Sequence, residues 1–378
     1  MAIFSPTPKP EMVLDIGTEA VKGLIFEKVE SGAPKISVLG SSLEYYDQYS
    51  AFFTPYFERE IIKRTISKVI KELERETKIK ASSVILTLPP DICVSRIISQ
   101  SYKRKGGLIG KKEREEILEK VLTEGKKKMS QIYGKEKGIL PQDLQFLELR
   151  ILETKIDGYS VPDILNYAGR NLEFRILANF LPRDYLISNF SPVSILKEMD
   201  FETLKISHQV EGLISFNLEG IFLDIGGKLS QIFLAKNGNL EKISEFSQGG
   251  KEFSQILSER LGLEESDARI LKHRYSKKDL TEEFRQRIRE FFEEALKIWF
   301  KNLREKLKEM SSGIFPSEIF IFGGGGLLPE IEEYLEQGDW GDIAFSQPPK
   351  IKFLQPEGLN LSPQYTPALL SYYGKKNF

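Results

Sequence analysis

The order of apolar and polar residues predicts strands that alternate with amphipathic helices along most of the chain. Apolar residues recur at helical spacing in two long segments, one around 62–73 and one at 282–310. Short apolar runs predict strands, among them 84–88 before two prolines and 319–322 before four glycines. Strands and helices in this alternation predict an α/β fold with mainly parallel sheets.

A four-residue pattern occurs twice. The sequence LDIG stands at 14–17 and again at 223–226, in both cases after an apolar strand start and before a second apolar run. Each copy predicts a strand, a tight turn at glycine and a second strand. Two such hairpins in distant parts of the chain predict two related lobes.

The elements between and after the hairpins predict the domain organisation. Further strands are predicted at 35–46, 144–156 and 172–180, a turn at 159–162, a helix end at Gly262, and helices at 183–198, 208–216 and 329–335. The predicted segments are a disordered tail at 1–11, a first lobe at 12–99 and 183–217, an inserted α+β domain at 100–182, a second lobe at 218–362 with a helical insertion at 251–312, and a C-terminal helix at 363–378 that returns to the first lobe.

Composition narrows the classes of function. Hydrophobic residues make up 40% and charged residues 29% of the 378 residues, and the formal net charge is −1, so we expect no nucleic-acid partner. The lysine-rich stretch 103–128 also contains many glutamates and predicts a solvated helical face. One cysteine, Cys93, and two histidines, His208 and His273, leave little material for a zinc site or thiol catalysis.

Each LDIG turn carries groups that suit a phosphate and its metal ion. Gly17 and Gly226 let a phosphate approach the backbone, where successive N–H groups form an anion-binding nest. Asp15 and Asp224 repel phosphate directly, but they can hold a hydrated Mg²⁺ that bridges phosphate oxygens. We therefore predict them as the catalytic and metal-binding residues. A single turn of this kind is more simply explained as a structural hairpin without a ligand. A second copy with its aspartate at the equivalent position favours a ligand site.

Four consecutive glycines at 323–326 follow a predicted strand and precede a predicted helix. The N–H groups and positive dipole of such a helix start face a ligand at the C-terminal ends of the strands. Small residues also leave a flat surface for a planar base, although a flexible turn is the simpler alternative. Thr18 and Ser230 add hydroxyl donors beside the two LDIG turns.

These motifs, in this order, resemble those of the actin-like ATPase superfamily. DIGTEAVKG at 15–23 and DIGGKLS at 224–230 resemble its two phosphate motifs, and IFGGGGLLPEIEEYL at 321–335 resembles its adenosine motif. QGGKEFSQILSERLGLEESDARILK at 248–272 is similar to the bacterial FtsA/PilM branch, and the segment 154–176 resembles the FtsA form of the inserted domain. The resemblance implies an actin-like (ribonuclease H-like) two-lobed α/β fold with a small inserted α+β domain in the first lobe.

The resemblance also implies that ATP and Mg²⁺ bind between the lobes, with Asp15 and Asp224 at the metal. The implied cofactor-binding residues are Gly17, Thr18, Lys22, Gly226, Gly227, Lys228, Ser230, Gly249, Gly250, Arg269, Lys272, Gly323, Gly324, Gly325 and Gly326.

Three departures from the family pattern affect these expectations. Residues 228–230 read Lys-Leu-Ser where family members carry glycine and two threonines, and Gln231 replaces a carboxylate, so we expect slow or no ATP hydrolysis. Lys228 is expected either to contact the phosphates or to point to solvent. The segment after Lys272 is short, which puts the contact with the tubulin-like protein FtsZ in question, and no amphipathic helix follows YYGKKNF, so we expect no direct membrane anchor.

Three functions stay open on the sequence alone. An FtsA-like protein would self-associate, bind FtsZ and act as a scaffold for bacterial cell division, and the inserted domain favours this function. A PilM-like protein would bind a short cytoplasmic peptide of an inner-membrane partner in type IV pilus or secretion assembly. A small-molecule kinase of the same fold needs a substrate base, and no further aspartate motif serves as one.

Cellular location follows from the lack of long apolar runs. The sequence has no run of about 18 apolar residues, the length that a membrane span needs, and no signal-like start. We therefore expect a cytoplasmic protein that partners recruit to the inner face of the membrane.

Overall fold

The computed structural model of the protein describes residues 10–29, 35–47, 58–215, 219–311, 313–355, 359 and 361–376. Most of the predicted disordered tail, residues 1–9, lies outside these ranges, whereas Glu11 at its end begins the first strand.

The elements alternate along the chain. The strands are β1 (Glu11–Ile16), β2 (Ala20–Val29), β3 (Lys35–Tyr45), β4 (Ser83–Thr87), β5 (Val94–Lys103), β6 (Leu144–Ile156), β7 (Tyr159–Val161), β8 (Asn171–Pro182), β9 (Thr203–Ser207), β10 (Gly220–Ile225), β11 (Ser230–Lys236), β12 (Asn239–Phe246), β13 (Glu318–Phe322) and β14 (Lys350–Phe353). The helices are α1 (Arg59–Thr77), α2 (Lys111–Lys137), α3 (Asp184–Ile187), α4 (Pro192–Lys197), α5 (Gln209–Ser215), α6 (Gly250–Leu261), α7 (Glu265–Ser276), α8 (Glu282–Met310), α9 (Pro329–Gln337) and α10 (Thr366–Lys376). Within the described ranges, no helix combines the length and the apolar character needed to cross a membrane.

Two five-stranded sheets share one topology, with the strand orders β3-β2-β1-β4-β9 and β12-β11-β10-β13-β14. In each sheet an antiparallel meander is extended by two parallel strands on the far side of its first strand. Asp15 and Asp224 hold equivalent places, next to the last residue of β1 and of β10. The LDIG repeat of the sequence is thus also a repeat of structure.

Helix α1 covers one face of the first sheet with the apolar stripe that its sequence predicts. Ile62, Ile66, Val69 and Leu73 are all fully buried, and each such burial stabilises the fold by about 1.5–3 kcal/mol. The helix approaches β2 so closely that a Cβ added at Gly23 would lie 2.6 Å from both Leu73 Cδ1 and Val69 Cγ1. Glycine at this position therefore lets the helix hold the first hairpin in place.

The inserted domain has an antiparallel four-stranded sheet of order β5-β8-β6-β7, against which α2 packs. Strand β5 begins at Val94, so the predicted start of the inserted domain at residue 100 would fall inside this strand. The predicted turn at 159–162 is wrong, because Tyr159–Val161 is β7 and pairs with the end of β6. The turn lies just before it, at Asp157 and Gly158, which both have positive φ.

The helices of the second lobe follow their sequence pattern closely. The stripe predicted at 282–310 forms the buried face of α8, where Phe292 and Leu303 are fully buried and Trp299 is 1% exposed. Gly262 ends α6 in the left-handed region at φ 65°, as predicted. Helix α9 begins at Pro329, also as predicted.

Helices α5 and α10 connect the two lobes. Helix α10 packs on the first sheet, where the rings of Tyr372 and Phe26 stack with centroids 4.4 Å apart. It also packs on α5, where a Cβ at Gly212 would lie 2.1 Å from the carbonyl oxygen of Leu370. Helix α5 in turn shares a core cluster with Phe222 of the second sheet.

Sequence patterns missed β9, which lies between the helices predicted at 183–198 and 208–216. The first of these segments contains two short helices, α3 and α4, and the second contains α5. Strand β9 is an edge strand with half-exposed alternation, so it lacks the continuous apolar run that identifies a buried strand.

Candidate functional site

A cleft between the lobes is lined by both LDIG turns. The predicted site residues on its wall are Asp15, Gly17, Thr18, Lys22, Asp224, Gly226, Gly227, Lys228, Lys272, Gly323, Gly324 and Gly325. The predicted site residues that do not line it are Ser230, Gly249, Gly250, Arg269 and Gly326. Most of the predicted site therefore meets around one crevice.

The two turns have the same backbone geometry. The N–H of Gly17 donates to the carbonyl of Ala20 at 2.9 Å, and the N–H of Gly226 donates to that of Leu229 at 2.9 Å. Across each hairpin the aspartate stands opposite a polar residue, Lys22 for Asp15 and Gln231 for Asp224. Equivalent turns on the two lobes thus present equivalent carboxylates to one cleft.

The ammonium of Lys22 pairs with one of the two carboxylates and acts electrostatically on the other. Lys22 Nζ lies 2.7 Å from Asp15 Oδ2. Burial by itself would lower the pKa of Lys22, but the charges of Asp15 and Asp224 outweigh this and raise its pKa. Burial raises the pKa of Asp224 to about 6, against the opposing effects of the Gln209 hydrogen bond and the Lys22 charge. Burial of Asp224, more than any neighbouring charge, therefore disfavours its ionised form.

Gln209 is a site residue that sequence reasoning missed. Its Nε2 donates to Asp224 Oδ2 at 2.6 Å and to Gln231 Oε1 at 3.0 Å. The residue is 3% exposed, lines the cleft at the first turn of α5, and its Oε1 has no partner among the described residues. The only sequence signal for Gln209 was its place as a polar residue at the start of a helix that directly follows a strand. Because β9 was not predicted, this signal was not recognised.

Several buried polar atoms on the cleft wall lack partners. Within the described part of the chain, Asp224 Oδ1, Thr18 Oγ1 and Thr87 Oγ1 accept and donate no hydrogen bond. Buried polar groups are otherwise nearly always paired, so these atoms point to a ligand. Among the described residues no group of three or more His, Cys, Asp or Glu side chains is arranged to hold a metal ion. The free oxygen of Asp224 suits an ion that takes most of its ligands from phosphates and water, as Mg²⁺ does.

Gly249 and Gly250 support the second turn from behind. The N–H of Gly250 donates to the carbonyl of Gly226 at 2.8 Å, and the N–H of Lys251 donates to that of Gly227 at 2.8 Å. A Cβ at Gly249 would lie 2.6 Å from both of those carbonyl oxygens. In this structure the N-terminus of α6 therefore positions the turn rather than facing the cleft.

Ser230 also has a supporting place. Its hydroxyl donates to the carbonyl of Gln248 at 2.6 Å and accepts from Trp299 Nε1 at 3.0 Å. Because the only hydroxyl hydrogen is used in the core, the expected direct contact of Ser230 with a phosphate is not supported.

Lys228 lines the cleft, is partly exposed to solvent, and pairs across the cleft with the first lobe. Its Nζ lies 3.0 Å from Asp91 Oδ2, which follows β4 in the first lobe. Its side chain is 45% exposed, so this ion pair is worth about 1 kcal/mol or less. The pair joins the lobes weakly enough for a bound anion to compete for the lysine.

Helix α7 brings a second set of cations to the cleft. Lys272 Nζ donates to the carbonyl of Gly250 at 2.5 Å and lies 3.7 Å from Glu19 Oε2. Arg269 is 7% exposed, and its guanidinium donates to the carbonyl of Tyr46 at 3.0 Å. Arg269 thus links α7 directly to the first lobe. Lys272 links α7 to the start of α6 and also lies near Glu19 of the first lobe.

The glycine loop 323–326 packs against the end of β10. Gly323 has φ 85°, and a Cβ there would lie 2.4 Å from Asp224 Oδ1. A Cβ at Gly325 would lie 2.6 Å from Ile225 Cγ2. The absence of side chains at Gly323 and Gly325 therefore leaves room for Asp224 and Ile225 at the end of β10, which is a reason for these glycines besides contact with a base.

Comparison by sequence finds no relative. No protein-family model matches the chain, and no curated protein matches it.

Comparison of structures does find similar folds. The chain in a PilM–PilN type IV pilus biogenesis complex superposes with a TM-score of 0.65 and 16% sequence identity, over 98% of this chain and 99% of that chain. The ethanolamine utilization protein EutJ from Carboxydothermus hydrogenoformans superposes with a TM-score of 0.51 and 13% identity, over 97% of this chain and 90% of that chain. The two repeated sheets, the shared cleft and these full-length matches show that the chain has the actin-like ATPase fold.

Proposed function

We propose that the chain binds ATP together with Mg²⁺ in the cleft between its lobes. The observation that carries this proposal is the pair of equivalent turns whose aspartates face one cleft, with Asp224 Oδ1 and Thr18 Oγ1 buried and unpartnered there. A nucleotide that contacts both turns bridges the lobes and favours their closed arrangement.

Each group of the site has a proposed task. The backbone N–H groups after Gly17 and Gly226 and the ammonium of Lys22 hold the phosphates. Asp15 and Asp224 hold the metal ion, and Gln209 orients the carboxylate of Asp224 by its hydrogen bond. A bound Mg²⁺ would supply positive charge that neutralises the phosphates. We propose weak ATPase activity at most, because the Ser230 hydroxyl is committed to contacts within the protein and Gln231 is an amide where family members carry a carboxylate.

For the cellular role we propose a PilM-like adaptor that binds a short cytoplasmic peptide of an inner-membrane partner. The full-length likeness to PilM supports this role, and PilM was solved in a complex with PilN. Partners would then bring the protein to the inner face of the membrane. The FtsA-like division role, with FtsZ as partner and with self-association, stays a prediction from the inserted domain. Neighbouring pilus or secretion genes would support the adaptor role, and neighbouring division genes would contradict it.

Calorimetry with Asp15→Asn tests nucleotide binding. The substitution removes a charge while leaving an oxygen for Lys22, so the gain in ATP affinity that Mg²⁺ provides is expected to fall at least about tenfold. The matched control is Asp200→Asn, an exposed aspartate of the same lobe that pairs with Lys80. If wild-type protein binds no adenine nucleotide, or if both variants behave alike, the proposal is lost.

Asp91→Asn is expected to strengthen binding of MgATP about threefold, because Lys228 no longer divides its charge between Asp91 and the phosphates. Removing a carboxylate from the cleft wall could also act by reducing general repulsion. A double-mutant cycle separates the two causes. In a Lys228→Met background the gain should disappear, and a gain that persists there would show that Lys228 does not reach the phosphates.

A further inference from the structure

Two aromatic residues from different lobes meet on the cleft wall. Tyr45 is the last residue of β3 in the first lobe, and His273 lies in α7 of the second. Their ring centroids are 4.8 Å apart with the planes at 54°, and both residues line the cleft. Neither has a task in phosphate or metal binding as described above.

One nitrogen of His273 is buried without a partner. Nδ1 lies 3.4 Å from the hydroxyl oxygen of Tyr45, which is a long hydrogen bond, and Nε2 has no partner among the described residues. Burial lowers the pKa of His273 to about 4, helped by the nearby charge of Lys272, and burial raises the pKa of Tyr45. The imidazole is therefore neutral at pH 7. The contact fits either tautomer, and in the one that carries the ring proton on Nε2 the phenol donates to Nδ1 and Nε2 is the free donor.

Neighbouring groups hold this donor in position. The guanidinium of Arg269 lies over the ring of Tyr45, 4.7 Å from its centroid, and the same guanidinium donates to the carbonyl of Tyr46. Lys272, the residue before His273, is tied to the carbonyl of Gly250. The imidazole thus stands between a tilted tyrosine ring and an anchored helix turn, so its free Nε2 has a fixed direction.

We propose that His273, held by Tyr45, is a specificity-determining residue that reads the nucleoside part of the nucleotide through a hydrogen bond from Nε2. This inference rests on the proposed ATP site. A neutral N–H adds no charge for phosphates, but it suits a neutral acceptor such as a ribose hydroxyl oxygen or a ring nitrogen of the base.

Calorimetry with three ligands tests the assignment: MgATP, Mg²⁺ with 2′-deoxyATP, and Mg²⁺ with inorganic tripolyphosphate. His273→Ala is expected to weaken MgATP about tenfold and to leave tripolyphosphate within about twofold. His273→Gln, which keeps a neutral N–H donor, should restore part of the ATP affinity. Arg274→Ala is the matched control, because the next residue of the same helix is exposed and pairs with Asp279. A loss that vanishes with 2′-deoxyATP assigns the bond to the ribose, and one that persists assigns it to the base.

Two results would overturn the inference. Equal losses for MgATP and tripolyphosphate would make His273 a structural residue only, and unchanged ATP affinity in folded His273→Ala would remove it from the site. Folding of each variant is checked by its thermal unfolding midpoint, and if His273→Ala does not fold, the comparison of His273→Gln with wild type decides. Failure of the ATP site itself appears differently, as absent binding of ATP to the wild-type protein.

Discussion

Asp224→Asn is expected to stabilise the nucleotide-free protein by about 2 kcal/mol at pH 8 while it removes most Mg²⁺-dependent ATP binding. Burial raises the pKa of Asp224 from 3.8 to about 6, so keeping this carboxylate ionised above pH 6 costs about 3 kcal/mol. Asparagine keeps an oxygen for Gln209 and removes that cost. The asparagine NH₂ group, which would take the place of the unpartnered Oδ1, offsets part of the gain.

The sign of the pH dependence follows from the raised pKa. A carboxyl whose pKa is higher in the folded state stabilises the fold at low pH, and that contribution is lost as pH rises from about 4 to about 6. The advantage of Asp224→Asn should therefore be absent at pH 4, grow across this window, and level off above it. Chemical denaturation at several pH values without nucleotide measures this directly.

Asp342→Asn is the matched control for this experiment. Asp342 is exposed, and its hydrogen bond with Lys308 lowers its pKa, the opposite direction to Asp224. We expect this variant to gain no stability at any pH. A stability gain for Asp342→Asn equal to that for Asp224→Asn, or no gain for Asp224→Asn at pH 8, would contradict the picture of a carboxylate kept charged for a ligand.

Gly249→Ala is expected to destabilise the fold by about 1–3 kcal/mol and to weaken MgATP binding at least about tenfold. The backbone of Gly249 is extended (φ −151°), so its conformation suits alanine and the obstacle is steric. The added Cβ would lie 2.6 Å from the carbonyl oxygens of Gly226 and Gly227. Backbone atoms cannot rotate away as a side chain can, so the second turn itself must move.

Gly324→Ala provides the control for stability in this case. A Cβ at Gly324 would meet no atom within 4 Å, and its φ of −69° suits alanine. Its free energy of unfolding should equal that of wild type or slightly exceed it. If Gly249→Ala unfolds like Gly324→Ala and binds ATP normally, the N-terminus of α6 does not position the second turn.

The repeat of the two lobes was predictable because each LDIG turn is a local feature. A buried strand, a glycine that closes a tight turn and a second strand are all encoded within about a dozen residues, and Asp15 and Asp224 then take equivalent places in equivalent sheets. The long stripe of α8 was equally clear, because its apolar residues recur at helical spacing over the whole element.

The contacts across the cleft were not predictable in the same way. The ion pair of Lys228 with Asp91 and the meeting of Tyr45 with His273 join residues more than a hundred positions apart. Nothing local in the sequence specifies such partners, since they depend on how the lobes pack. For Lys228 two alternatives were expected, phosphate or solvent, and neither included the carboxylate of Asp91 that lies beside its ammonium.

The sequence could not decide between the FtsA-like and the PilM-like role for a different reason. The turns and the glycine loop belong to the nucleotide site, whereas the two roles differ in their partners, so the site does not decide between them. The inserted segment 154–176 favoured the FtsA form by resemblance alone, and the structural likeness at 16% identity shows the fold and not the role.

A crystal structure with Mg²⁺ and a non-hydrolysable ATP analogue tests the central claim most directly. We expect the phosphates to lie between the turn at Gly17 and the turn at Gly226, with the metal ion near both Asp15 and Asp224. The nucleoside should lie beside α7. Nucleotide bound to one lobe alone, or at another surface while the two aspartates stay without a ligand, would contradict it.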